Sequence, residues 1–169
     1  MPIDKQDELF YQVDKNDKVL GSISRKLAHS NKQNIHRSVG IFILNEKNEM
    51  LMQKRSQQKD MDAGTWSYAV AGHVTYGQTY KQAAIRELKE ELNIKADIKF
   101  ITKKLVKTKN ETEYSYFYQA RISSKTPLRL DRNEIDKSKW VKLDKLTEFI
   151  NTCDVVDWAL VGLKAANFI

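Results

Sequence analysis

The sequence predicts an α/β fold, a mixed sheet covered by helices, and three observations carry that expectation. Short stretches with strand periodicity alternate along the chain with stretches of helical periodicity. The segment around Ala84–Leu92 has an apolar arc and a charged arc, as a helix lying on a sheet does. The 169 residues suffice for one domain with a core, and no composition shift, repeat or Ser/Pro-rich linker divides them.

The elements follow in order. Leu9–Val13 reads as a short strand, Asp14–Asp17 as a turn and Val19–Ser22 as a second strand, with a brief helix over Ser24–Ser30. Val39–Leu44 is a continuous apolar strand. The turn Asn45–Asn48 leads into Met50–Arg55, which alternates as a hairpin partner should. A polar loop spans 56–64, and Thr65–Val70 reads as one strand feeding a loop at Gly72. After the helix come strands near 97–108 and 113–122, then a strand at Ser138–Val141. Leu143–Asn151 and Val155–Ala166 read as helices, the second with Leu160, Leu163 and Ala166 on one side.

The central helix carries the chemistry. Glu87, Glu90 and Glu91 stand at i, i+3 and i+4 and share an arc of roughly 100°. Ala84, Ile85, Leu88 and Leu92 fill a different arc, expected to face the core. Three carboxylates side by side cost helix stability unless a cation neutralises them. Clustered hard oxygens suit Mg²⁺ or Mn²⁺, the ions that accompany diphosphates. Taken alone, Arg86–Glu91 also reads as a solvated acidic face. Its flanks add Gly72 and Gly77 in the preceding loop, and Thr79 with Gln82 at the spacing of a capping box.

Gly72, Arg86, Glu87, Leu88, Glu90, Glu91 and Ile94 together resemble the Nudix box, GX5EX7REUXEEXGU with U apolar. Two positions depart from it. Gln78 replaces the first Glu and removes a charge, which bears on metal affinity and on the orientation of Arg86. Asn93 replaces the late Gly, and Asn adopts the left-handed helix-terminating geometry that Gly usually supplies. The resemblance spans roughly residues 8–165 and implies a Nudix-type α/β/α sandwich with a mixed central sheet. It implies a single domain over 1–169, with the box at 72–94 and an N-terminal extension, 1–37, packed on it. It also implies metal-dependent hydrolysis of a diphosphate linkage in a nucleoside diphosphate derivative or related small metabolite. Glu87, Glu90 and Glu91 would then hold the metal, while Glu87, Glu90 and Arg86 form the catalytic group, Arg86 by orienting the glutamates.

His29, His36 and His73, with Glu111 and Glu113 alternating on or beside a strand, form a second constellation. Neutral imidazoles and carboxylates suit Zn²⁺ or Mn²⁺, whereas scattered histidines are more often surface or hydrogen-bonded groups. The stretch from Ala28 to His73 is similar to isopentenyl-diphosphate isomerase, itself of Nudix fold, whose three-His, two-Glu metal site these five residues match. Arg55 and Lys59 match positions that contact diphosphate in that group. The isomerase cysteine, however, precedes the Gly-His pair, where this chain has Ala71. The helix also keeps all three Nudix glutamates. Both departures favour hydrolysis over isomerisation, and a nucleotide-binding Nudix module without turnover is the third reading. Glu87, Glu113 and Glu134 are the candidate general bases. Trp66 and Trp140 read as core or pocket-wall aromatics.

Composition bounds the partners. The net charge of +7, from 29 Lys and Arg against 22 Asp and Glu, favours anionic ligands. The basic residues are spread without an arm or aromatic interleaving, so nucleic acid is not indicated. No apolar run approaches the roughly 18 residues of a membrane helix, and the start MPIDKQDELF lacks a secretion signal's apolar stretch. Cys153 is the only cysteine, which excludes an intramolecular disulfide and suits a reducing cytoplasm. A monomer or a homodimer is expected.

Overall fold

A computed structural model describes residues 4–169; Met1, Pro2 and Ile3, which begin the expected extension, lie outside the described residues. Nine strands and four α-helices follow one another as β1 (Leu9–Val13), β2 (Val19–Ser24), α1 (Arg25–Ala28), β3 (His36–Leu44), β4 (Glu49–Arg55), β5 (Trp66–Tyr68), β6 (Val70–His73), α2 (Tyr80–Leu92), β7 (Ile98–Lys107), β8 (Thr112–Arg121), β9 (Ile135–Lys142), α3 (Leu146–Thr152) and α4 (Asp157–Ala165). A 3-10 turn, Leu143–Lys145, precedes α3, so the helix expected at Leu143 begins one tight turn late. No described helix is long and apolar enough to cross a membrane.

The sheet is mixed, as expected, and β3 organises it. Along one edge β3 pairs in parallel with β8 over its whole length. Its other edge is shared, with β1 meeting it at His36, β6 at Ser38–Ile41 and β4 at Leu44. The expected hairpin therefore exists but opens at once. Leu44 and Met50 form its single pairing, after which β4 runs between β9 and β5. The expected strand Thr65–Val70 is likewise divided at Ala69. β5 pairs with β4 and β6 with β3, so this short stretch carries the chain from one arm of the sheet to the other.

Helices cover both faces. Val39, Ile41 and Ile43 of β3 point toward Ala83, Ala84, Leu88 and Leu92 of α2. Phe42 and Leu44 alternate to the opposite face and join Tyr68, Phe117, Phe149, Ala159 and Leu163 beneath α3 and α4. This is the α/β/α sandwich. At Gly40 the second core leaves no room, since a Cβ would sit 2.6 Å from Tyr68 Oη.

The helix α2 forms from local signals. Thr79 Oγ1 accepts from Gln82 N, and Gln82 Oε1 accepts in return from Thr79 N, which closes the capping box. Asn93 ends the helix at φ 54°, the left-handed conformation expected for it. One residue departs from expectation. Ile85 is 50% exposed and Ala83 is buried in its stead. The inward stripe runs through 83/84, 87/88 and 91/92, which rotates Ile85 about 100° off it.

Candidate active site

The same helical stripe that buries Leu88 and Leu92 carries Glu87 and Glu91 inward. Both line a cleft of about 620 Å³ between α2, the ends of β3, β6 and β8, and the loop after β4. The third carboxylate, Glu90, stays at the rim with 57% of its side chain exposed. Gly72 of β6 lies directly beneath Glu87, and a Cβ there would stand 2.1 Å from Glu87 Oε1. The glycine is thus needed for the carboxylate to fit.

Arg86 ties the arrangement together. Its guanidinium lies 2.9 Å from Glu87 Oε1, donates to Glu90 Oε2 at 2.9 Å and to the His73 carbonyl at 3.0 Å, and reaches Gln78 Oε1 at 3.2 Å. The amide of Gln78 therefore keeps the acceptor that the box glutamate would have offered, without its charge. Burial raises Glu87 to about 7 despite Arg86, with Glu90 and Glu134 adding to the rise. Burial, with Glu87 and Glu134, pushes Glu91 well above the ordinary carboxylate range. Two buried carboxyls that resist ionisation beside each other fit a divalent cation held on oxygen.

The second constellation also assembles. His29 caps the end of α1, His36 starts β3 and His73 ends β6. The register sets His36 opposite Glu113 and Ser38 opposite His73. Glu111 Oε2 lies 3.2 Å from His29 Nε2 and 3.5 Å from His36 Nε2, and Glu113 Oε1 lies 3.3 Å from both His36 Nε2 and His73 Nε2. Phe10 stacks under His73 at 4.3 Å between ring centroids and closes the apolar side. His36 Nδ1 faces the Asn34 carbonyl at 3.2 Å, the contact that turns Nε2 toward the cluster. His36 Nε2 and Glu111 Oε2 are buried without a hydrogen bond. Burial alone would lower His36, but the Glu111 and Glu113 carboxylates outweigh it and raise it to about 10. With one ligand atom each, His29, His36, His73 and Glu111 converge within 4.8 Å of one another. The donor set suits Zn²⁺ or Mn²⁺.

Both constellations open on the one cleft, with Ala71 also on its wall. Arg55 reaches it with Nη2 on the Met61 carbonyl and with Nε buried and unpartnered. Lys59 Nζ is held by Asp4 at 2.6 Å and by Glu134 at 2.7 Å. Trp66 packs edge-on against Phe149, and Trp140 lies against the α2-side core; neither lines the cleft. Among the lining residues that escaped the sequence reading are Arg25, Tyr68 and Trp158. Arg25 stands four residues before His29, a helical spacing that would have pointed to it. Nothing local marked the two aromatics.

The NUDIX domain family model matches residues 34–156. The chain is 33% identical over 150 residues to "Isopentenyl-diphosphate Delta-isomerase 2" of Photorhabdus laumondii, an overlap covering 86% of this chain and 83% of that one. It is 30% identical over 137 residues to "Prenyl-diphosphate phosphatase" of Methanosarcina mazei, covering 80% of this chain and 79% of that one. The crystal structure of DR0079 from Deinococcus radiodurans superposes with a TM-score of 0.77 at 22% identity, covering 94% of this chain and 99% of that one, which shows a common fold.

Proposed function

This chain belongs to the Nudix family, and from that premise we propose that it is a metal-dependent hydrolase of a small organic diphosphate. The observation that carries the reading is the placement of Glu87 and Glu91, both buried and both turned into the cleft that Arg55 and Lys59 also line. In this reading Glu87 and Glu91, with Glu90 at the rim, hold Mg²⁺ or Mn²⁺. Bound there, the cation neutralises diphosphate charge and makes a coordinated water more acidic. Arg55 offers a planar guanidinium with a free buried donor, and Lys59 and Arg25 add positive charge. Arg86 fixes the rotamers of Glu87 and Glu90 and acts through them. Glu134 is taken as the proton acceptor, because it is the most open of the three candidates, with 32% of its side chain exposed against 11% for Glu87 and 9% for Glu113. For phosphoryl transfer, such positioning and charge stabilisation supply most of the catalysis.

The organic group faces Trp158, Tyr68, Met61 and Ala71, a wall with little hydrogen-bonding capacity. That wall and the names of the two relatives favour an apolar organic group, with nucleoside diphosphate derivatives as the comparison class. We take residues 1–169 as one working unit, because Arg25 and His29 of the N-terminal extension line the same cleft as the box. The His/Glu cluster is read as a second cation site on that cleft. The isomerase reading has the Photorhabdus laumondii relative on its side, but Ala71 offers no thiol for proton transfer.

A phosphate-release screen with Mg²⁺ and Mn²⁺ over prenyl diphosphates and nucleoside diphosphate derivatives tests the reading. Phosphate release without isomerised product is expected. Isomerised prenyl diphosphate would contradict it, and tight binding without turnover in either metal would favour the non-catalytic module.

A further inference from the structure

Asp4, Lys5, Asp7 and Glu8 line one side of the cleft. The Asp4 side chain is 6% exposed. Asp4 Oδ1 lies 2.6 Å from Lys59 Nζ and 3.5 Å from Arg25 Nη2, and Asp4 Oδ2 accepts from the Asp60 backbone N–H at 3.1 Å. Two cations and an amide converging on one carboxylate make a seat for an anion, and the chain's own side chain sits in it.

We propose that Asp4 is an internal competitor for the diphosphate: its carboxylate holds the seat between Lys59 and Arg25 and gives it up when a diphosphate binds. The proposal rests on the diphosphate reading above and adds to it how the site is guarded. Lys59 already carries two carboxylates, Asp4 and Glu134, so an arriving phosphate oxygen must displace one of them. Glu134 is the fixed partner. Its carbonyl accepts from Ser56 N, its N–H donates to the Asp131 carbonyl, and β9 begins at the next residue. Asp4 is the movable one. The segment is anchored behind it, where the carbonyls of Gln6 and Glu8 accept from the Lys26 and Arg25 amides. Asp4 and Lys5 lie beyond those anchors. The hydrogen bonds their carbonyls accept, from Gln6 Nε2 at 3.1 Å and Glu8 N at 3.2 Å, are local to the segment, so Asp4 can swing out while the anchors hold. Left in place, it would stand against a phosphate of like charge in a buried setting.

A ligand that must first expel an internal group binds more weakly by the fraction of molecules in which the seat is open. The test is calorimetric titration of inorganic pyrophosphate into the full chain and its Asp4→Asn variant, which keeps shape and loses charge. Pyrophosphate should bind Asp4→Asn about tenfold more tightly. Equal or weaker affinity, or no binding to either form, would overturn the proposal. A second measurement uses the unaltered chain. Tryptic cleavage after the exposed Lys5 should quicken when pyrophosphate is added, and slower or unchanged cleavage would also overturn it. Neither measurement reads turnover. If pyrophosphate frees the segment but no organic diphosphate is hydrolysed, the hydrolase reading falls and the competitor stands. If hydrolysis is found without these effects, the competitor falls alone.

Discussion

Two buried carboxylates one helical turn apart, Glu87 and Glu91, are an electrostatic cost to the fold. Arg86 offsets the cost at Glu87, through a 2.9 Å ion pair. Arg86 is itself held by Gln78 and the His73 carbonyl, so the departure from the family pattern at position 78 leaves its geometry served by a neutral acceptor. Gln78→Glu would strengthen one hydrogen bond by making its acceptor ionic, roughly a doubling of a single contact. Turnover of the Gln78→Glu variant should therefore stay within about threefold of the unaltered chain. A rise of more than about tenfold would show that the missing charge, and not the missing acceptor, limits this site.

Between elements, the decisive contact is β6 against α2, where Gly72 gives Glu87 its space. Gly72→Ala should cost about 1–3 kcal/mol in a thermal or denaturant melt, by forcing the glutamate from its rotamer. If the displaced carboxylate holds the cation as proposed, phosphate release should fall about 100-fold. Unchanged turnover would show that Glu87 does not need that position. The helix itself was legible because its signals are local: the Thr79–Gln82 box, the Asn93 terminator and the spacing of the glutamates all lie within one segment. Ile85 was misread because an apolar residue next to the stripe looks like part of it until a neighbouring sheet fixes the helix's rotation. The division at Ala69 and the opening of the β3–β4 hairpin were hidden for a related reason. Both depend on which distant strand claims each edge, and that pairing leaves no mark in the residues themselves. The five residues of the His/Glu cluster came together only through a family resemblance, since β3, β6, β8 and α1 bring them from four parts of the chain. Trp158 and Asp4 had no such guide.

At the scale of the molecule, one cleft serves both constellations, and on the proposed reading protons and a cation compete for Glu87 and Glu91. Glu87 holds its proton to about 7 in the folded chain against an ordinary 4.5, so its contribution to stability is full at acid pH and is lost as pH rises through about 7. Glu91 is shifted in the same direction. A cation binds the ionised form, and the rise in Tm produced by Mg²⁺ should therefore grow between about pH 5 and about pH 8. A Mg²⁺ effect that is flat across that window would remove these two carboxyls from the metal site. The central claim is that Glu87 and Glu91 together support metal-dependent diphosphate hydrolysis. Mg²⁺-dependent phosphate release by the Glu87→Gln/Glu91→Gln double variant, set beside the unaltered chain, tests it most directly. The double variant should fold with equal or higher Tm, having lost two reluctant buried acids, and its turnover should fall by about 1,000-fold or more. Turnover near that of the unaltered chain would contradict the account.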